Sequence, residues 1–175
     1  MKVLLIGAIC LTVALPALAQ NQAPAGAARG GRGGGGGQAA APGPGSPAIY
    51  KSAEELMAAI KASEGRGGDR GMASGNFSST DQWSINVVKR DRGATPLTHT
   101  GNTELHYIIE GSATLVTGGK IVRPAAGGAA DVEGGVTRKV GKGDVVLVPA
   151  ETVHWYKDVE GSITYLEVRF VVPTK

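Results

Sequence analysis

Thr103-Glu104-Leu105-His106-Tyr107-Ile108-Ile109-Glu110-Gly111 is the stretch from which this chain is best read. A strand turns successive side chains to opposite faces, so Glu104 and His106 share one face, about 6.5 Å apart along the strand. His99 precedes them in the pattern Gly93-x5-His99-x-Gly101-x2-Glu104-x6-Gly111. A second segment, Gly143-x5-Pro149-x-Glu151-x2-His154-x3-Asp158, holds the last of only three histidines. Imidazole nitrogens and one carboxylate suit Fe(II), Mn(II), Zn(II), Ni(II) or Cu(II), so the two segments together read as a site for one divalent ion.

Working outward, period-two patterning dominates. Trp83, Ile85 and Val87 alternate with Ser84 and Asn86, residues 163–172 alternate in the same way, and Asp144 to Val148 is a continuous apolar run. Gly118-Gly119 between residues 113–117 and 120–123 predicts a two-residue hairpin turn, and Gly127 to Gly135 a longer loop of small residues. Gly93, Gly111 and Gly143 read as turn residues, and Pro149 fixes φ before the loop that delivers His154. Short strands with glycine-rich turns point to an all-β barrel or sandwich. One exception stands upstream: Ser52-Ala-Glu-Glu55 is a capping box ahead of Leu56, Met57, Ala59 and Ile60, predicting a short helix to about Ser63. Residues 65–75 then read as loop.

Residues 103–119 resemble the first motif of the cupins, and residues 143–155 resemble the second. The resemblance covers about Ser78 to Lys175. It implies a double-stranded β-helix, the jelly-roll barrel, with a metal between the motifs. His99 matches the first histidine of the family pattern, Glu104 its glutamate and His154 its last ligand. Gly101 stands where the second histidine belongs, and the spacer to the glutamate is short. His106 is therefore a candidate replacement ligand, or else an inward ring that hydrogen-bonds Glu104. Glu151 occupies a place where the family often has glycine, at the barrel mouth. With Tyr156 and Ile108 it is a candidate to line a small-molecule site. Cupins include dioxygenases, isomerases, decarboxylases and non-enzymatic binders, so the fold leaves the reaction open.

The rest of the chain sets the context. Met1-Lys2, the apolar run Val3–Leu15 and Ala17-Leu18-Ala19 predict a cleaved export signal over 1–19, hence a periplasmic or secreted protein with no membrane span left after cleavage. Residues 20–48 are Gly, Ala and Pro with almost no large apolar side chain, so they predict a disordered linker. Residues 49–77 hold the helix and loop, and 78–175 the barrel. From Ser78 onward eleven basic and eleven acidic side chains cancel, so the net charge of +3 arises upstream and no nucleic-acid surface is expected. There is no Gly-x-Ser-x-Gly nucleophile and no phosphate-cradling loop between strand and helix. Val168, Phe170 and Val172 put an apolar stripe on one strand face, which with the family resemblance predicts a homodimer.

Overall fold

The computed structural model describes residues 40–66, 71–125 and 127–172. The expected export signal and residues 20–39 of the expected linker lie outside them. Residues 40–48 carry neither helix nor strand; the Ala41 amide donates to Asp81 Oδ1 at 3.3 Å. No helix among the described residues is long and apolar enough to cross a membrane.

Helix α1 spans Ala53–Ser63, as its capping box dictates. Glu55 N donates to Ser52 Oγ at 3.2 Å and Ser52 N to Glu55 Oε2 at 2.7 Å, satisfying two amides that a helix start leaves free. The strands follow as β1 Met72–Ser79, β2 Trp83–Arg90, β3 Thr103–Thr117, β4 Lys120–Val122, β5 Asp131–Glu133, β6 Val136–Gly141, β7 Val145–Val148 and β8 His154–Phe170. All pairings are antiparallel, as an all-β jelly roll requires.

The barrel rests on two long, bent strands, β3 and β8, paired along nearly their whole length. Their halves have different neighbours. The first half of β3 runs beside β7 and the second half beside β6, while β2 and β1 extend the sheet from the far end of β8. The bend falls at Gly111, where the register slips and φ is 80°. Gly111 is thus a corner inside a strand rather than a turn between strands. A Cβ there would sit 1.9 Å from Ser162 O, so only glycine lets β3 lie this close to β8.

Two expectations need correction. The sheet begins at Met72, not Ser78, so most of the expected 65–75 loop's second half is strand. Met-Ala-Ser-Gly-Asn-Phe-Ser-Ser lacks β-branched residues and clean alternation, and tertiary support replaces propensity. The ladder to β2 holds one edge, and α1 covers its face, burying Ile60 against Ala73 and Val87 with Leu56 and Leu166 alongside. Full burial of an isoleucine is worth about 1.5–3 kcal/mol. Gly75 permits the approach, because a Cβ there would be 2.7 Å from Leu56 O.

Gly118-Gly119, in turn, is not the tip of a hairpin. Residues on both sides share one register with the returning chain, Thr117 opposite Val136 and Lys120 opposite Glu133. Both glycines do have positive φ, but they make a kink opposite Gly134-Gly135, and the ladder runs on past them to the Val122–Asp131 pair. The expected 127–135 loop accordingly contains β5.

The main core cluster is Val88, Ile108, Ala113, Leu115, Val140, Tyr156, Ile163 and Tyr165, separate from the Ile60 cluster under α1. Across the outer face, Ile85, Val168, Leu105 and Leu147 stand in one row, and Val87, Leu166, Tyr107 and Val145 in the next. Val145 and Leu147 remain 62% and 59% exposed.

Candidate metal centre

Three pieces of chain converge inside the barrel. β3 turns Glu104 and His106 inward, with Glu104 only 1% exposed. β8 contributes from both ends, His154 and Tyr156 from its start and Tyr165, Glu167 and Arg169 from its finish. The third piece is not a sheet strand. Residues 94–99 lie along 151–156, with Ala94 N donating to Tyr156 O at 2.9 Å, Leu97 and His154 exchanging two bonds at 3.2 and 3.0 Å, and Glu151 N donating to His99 O at 3.1 Å. The Trp155 indole N–H also donates to the Ala94 carbonyl. Gly93 makes this contact possible, since a Cβ would meet Lys157 O at 2.0 Å.

Glu104 is the hub. His99 Nε2 lies 3.2 Å from its Oε1, and His106 Nε2 and His154 Nε2 lie 3.0 and 3.4 Å from its Oε2. Arg169 Nε stands 2.9 Å from Oε1 and 3.2 Å from Glu167 Oε1. Ligand atoms of His99, Glu104 and His154 all fall within 4.8 Å of one another, and a second such trio is Glu104, His106 and Glu167.

Hydrogen-bond chemistry distinguishes the histidines. His154 Nδ1 is 3.2 Å from the Thr152 carbonyl, which can only accept, so Nδ1 carries the proton. Burial lowers the His154 pKa, against the pull of Glu104, and keeps the ring neutral. Its Nε2 lone pair therefore faces a carboxylate oxygen. Glu104 is itself ionised: burial alone would raise its pKa, but the His106 hydrogen bond and the positive charge of Arg169 bring it below the ordinary carboxylate value. Glu104 Oε1 also has no hydrogen-bond donor of acceptable geometry among the described residues. Two acceptors face to face and an orphaned carboxylate oxygen fit a cation held by His99, Glu104 and His154.

His106 is placed differently. Its Nδ1 lies 3.0 Å from Tyr156 OH and its Nε2 faces the carboxylate. Because Glu104 only accepts, His106 donates Nε2–H to it and accepts from the Tyr156 hydroxyl, whose pKa burial drives upward so that the proton stays on. Tyr165 is pushed up to about 12, chiefly by burial.

Of the other residues expected at the site, Tyr156 lines the cavity with the three histidines. Ile108 does not; it is wholly buried in the apolar core. Glu151 is exposed, with φ 63°, and is not among the residues that line the cavity. That left-handed backbone is the physical reason a glycine suits this place. Glu151→Gly should raise stability by about 0.5–1 kcal/mol, read from urea midpoints, because the αL strain disappears. Gly101, at φ 74°, has open space where a Cβ would stand, and no ligand comes from this position. Sequence reading missed Arg90, Glu167 and Arg169, although strand alternation from Ile163 puts 165, 167 and 169 on the same face.

The two depressed pKa values fix the sign of a pH effect. Below pH 6.5 the unfolded chain protonates His154 more readily than the folded one, and below 4.5 the same holds for Glu104. Metal-free protein should therefore lose stability stepwise as pH falls, first through the histidine range and then through the carboxylate range. Thermal melts in chelator between about pH 7 and 4 would show it; a flat profile would contradict these assignments.

No curated protein matches the chain. Among solved structures, KdgF from Halomonas sp. is 20% identical, covering 59% of this chain and 82% of that one at a TM-score of 0.44. A predicted oxalate decarboxylase from Thermotoga maritima is 14% identical over 58% and 81%, with a TM-score of 0.45. A cupin superfamily protein from Desulfitobacterium hafniense is 18% identical over 58% and 78%, with a TM-score of 0.42. The cupin family model matches residues 74–164, from β1 into β8, and so spans half of the sequence. This chain belongs to the cupin family.

Proposed function

We propose that this protein is an exported cupin that holds one divalent ion, Fe, Mn, Zn, Ni or Cu, on His99, Glu104 and His154, and acts on a small molecule there as a metal-dependent oxygenase or isomerase. The observation that carries the reading is the His154 Nε2 lone pair 3.4 Å from an ionised Glu104 oxygen, an arrangement that only a cation or a proton relieves. A site of two imidazoles and one carboxylate leaves coordination positions open, where a bound ion supplies Lewis acidity or, if redox-active, oxygen chemistry. The chain's own residues prepare that place. Tyr156 and His106 hold a proton beside Glu104, and Arg169 balances the buried carboxylates. Protein purified without chelator or nickel resin should contain about one equivalent of metal per chain. Metal-free protein that also refuses added Zn(II), Mn(II) and Fe(II) would overturn the reading.

A second reading, binding without turnover, is favoured by the size of the cavity. Only about 20 Å³ is open to water beside the histidines, scarcely more than one water molecule needs.

Export predicts a mature N-terminus at Gln20, which sequencing of the secreted or periplasmic protein checks. We also propose that two copies pair through the outer apolar rows that leave Val145 and Leu147 exposed. Sedimentation should show a dimer at micromolar concentration and a monomer for Leu147→Asp; a monomeric native chain would exclude it.

A further inference from the structure

The cavity wall contains two arginines in unlike circumstances. Arg169 has its charge answered by Glu104 and Glu167. Arg90, at the end of β2, has no carboxylate within 4.0 Å among the described residues. Its Nε donates to the neutral Tyr165 hydroxyl at 3.0 Å, and its guanidinium carbon lies 5.8 Å from the Tyr156 ring centroid. Its two Nη groups make no hydrogen bond to any described residue. They form a half-buried, planar fork, braced by two tyrosines whose rings stack at 5.0 Å. Those same rings stand 5.8 and 4.9 Å from His106, and Arg90 lines the same cavity as the three histidines.

Charge balance points the same way. Arg90 and Arg169 offset Glu104 and Glu167, so the wall is formally neutral with neutral histidines. A divalent ion then leaves it doubly positive in a confined space, where an uncompensated charge is costly. A planar fork without an acid partner is the geometry that accepts a carboxylate through two parallel hydrogen bonds.

We infer that Arg90 anchors the carboxylate of the ligand, making the substrate class a short-chain carboxylic acid whose neighbouring oxygen donor reaches the ion. This rests on the metal reading above for the second contact alone; the Arg90 contact stands without it. The cavity beside the histidines is about 20 Å³, so its wall must widen to admit such an acid.

Glycolate, a carboxylate with an adjacent hydroxyl, and glycolamide, its neutral counterpart, separate the possibilities. In the full chain the Arg90 Nε–Hε NMR resonance, assigned by its absence from Arg90→Gln, should shift with glycolate and not with glycolamide. Titration of Co(II)-loaded protein should give glycolate at least about a tenfold advantage, the worth of one charge-assisted pair. Arg90→Gln should erase that advantage while retaining Co(II), and Arg90→Lys should keep only part of it. An equal response to the two probes, or a preference that survives in Arg90→Gln, would overturn the inference. If Arg90→Gln fails to fold, Arg90→Lys and the native resonance decide by the same criteria. Failure to take up Co(II) would count against the metal reading instead, and the resonance shift in metal-free protein would then test Arg90 by itself.

Discussion

Replacing Glu104 by glutamine should cost this protein at least about a hundredfold in affinity for a divalent ion, the upper end of what loss of a mere supporting partner costs a metal site. Glu104 is the shared neighbour of His99, His106 and His154, so no other residue substitutes for its charge. The glutamine amide keeps a single acceptor oxygen, so its NH2 would face either His106 Nε2–H or Arg169, both of which require an acceptor. Breaking a buried ion pair typically costs 3–5 kcal/mol. Here Arg169 is a third exposed and keeps Glu167, so about 2 kcal/mol is expected for the metal-free protein. Competition against a chromophoric chelator measures the first effect and urea unfolding the second. Unchanged metal affinity with lowered stability would reduce Glu104 to a structural acid.

Gly111→Ala should be more damaging still. A Cβ at 111 would lie 1.9 Å from Ser162 O and 2.9 Å from Ile163 Cα, and both are backbone atoms that cannot rotate away. The clash comes on top of the strain of φ 80°, worth about 1–2 kcal/mol for a residue with a side chain. Prising β3 from β8 disturbs the ladder that carries both halves of the site, so a loss of more than about 3 kcal/mol is expected. Gly161→Ala is the matching control. It has φ 70° but nothing within 4 Å, so it should cost only the torsional part, about 1 kcal/mol. Equal effects of the two substitutions, compared by denaturant unfolding, would show that the corner is looser than it looks.

Much of this site was legible in the residue pattern, and the exceptions have physical causes. The helix could be bounded because its capping box is a local, self-contained signal. His99, Glu104 and His154 could be grouped because two spaced motifs bracket them. β1 could not be read, since its stability comes from a covering helix and a neighbouring strand rather than from its own side chains. Gly118-Gly119 misled because positive φ serves a kink in a ladder as well as a turn. Glu167 and Arg169 were missed for a subtler reason. Alternation separates the two faces of a strand but does not say which is inside, and at this end of β8 the apolar Leu166, Val168 and Phe170 face outward while the charged residues face the cavity. The ordinary rule of apolar inward is reversed wherever a barrel carries a polar centre.

The strip of residues 94–99 has a kinetic consequence. Glu104 and His106 sit in a strand paired on both sides, and freeing them means dismantling the barrel. His99 is held by a few backbone bonds to 151–156 and an indole contact, the kind of segment that opens locally well below the free energy of global unfolding. An ion seated on His99, Glu104 and His154 would therefore leave by the lifting of this strip, with its residence time set by a loop rather than by the fold. Amide exchange at Leu97 and Glu151 would then report the same clock as metal release.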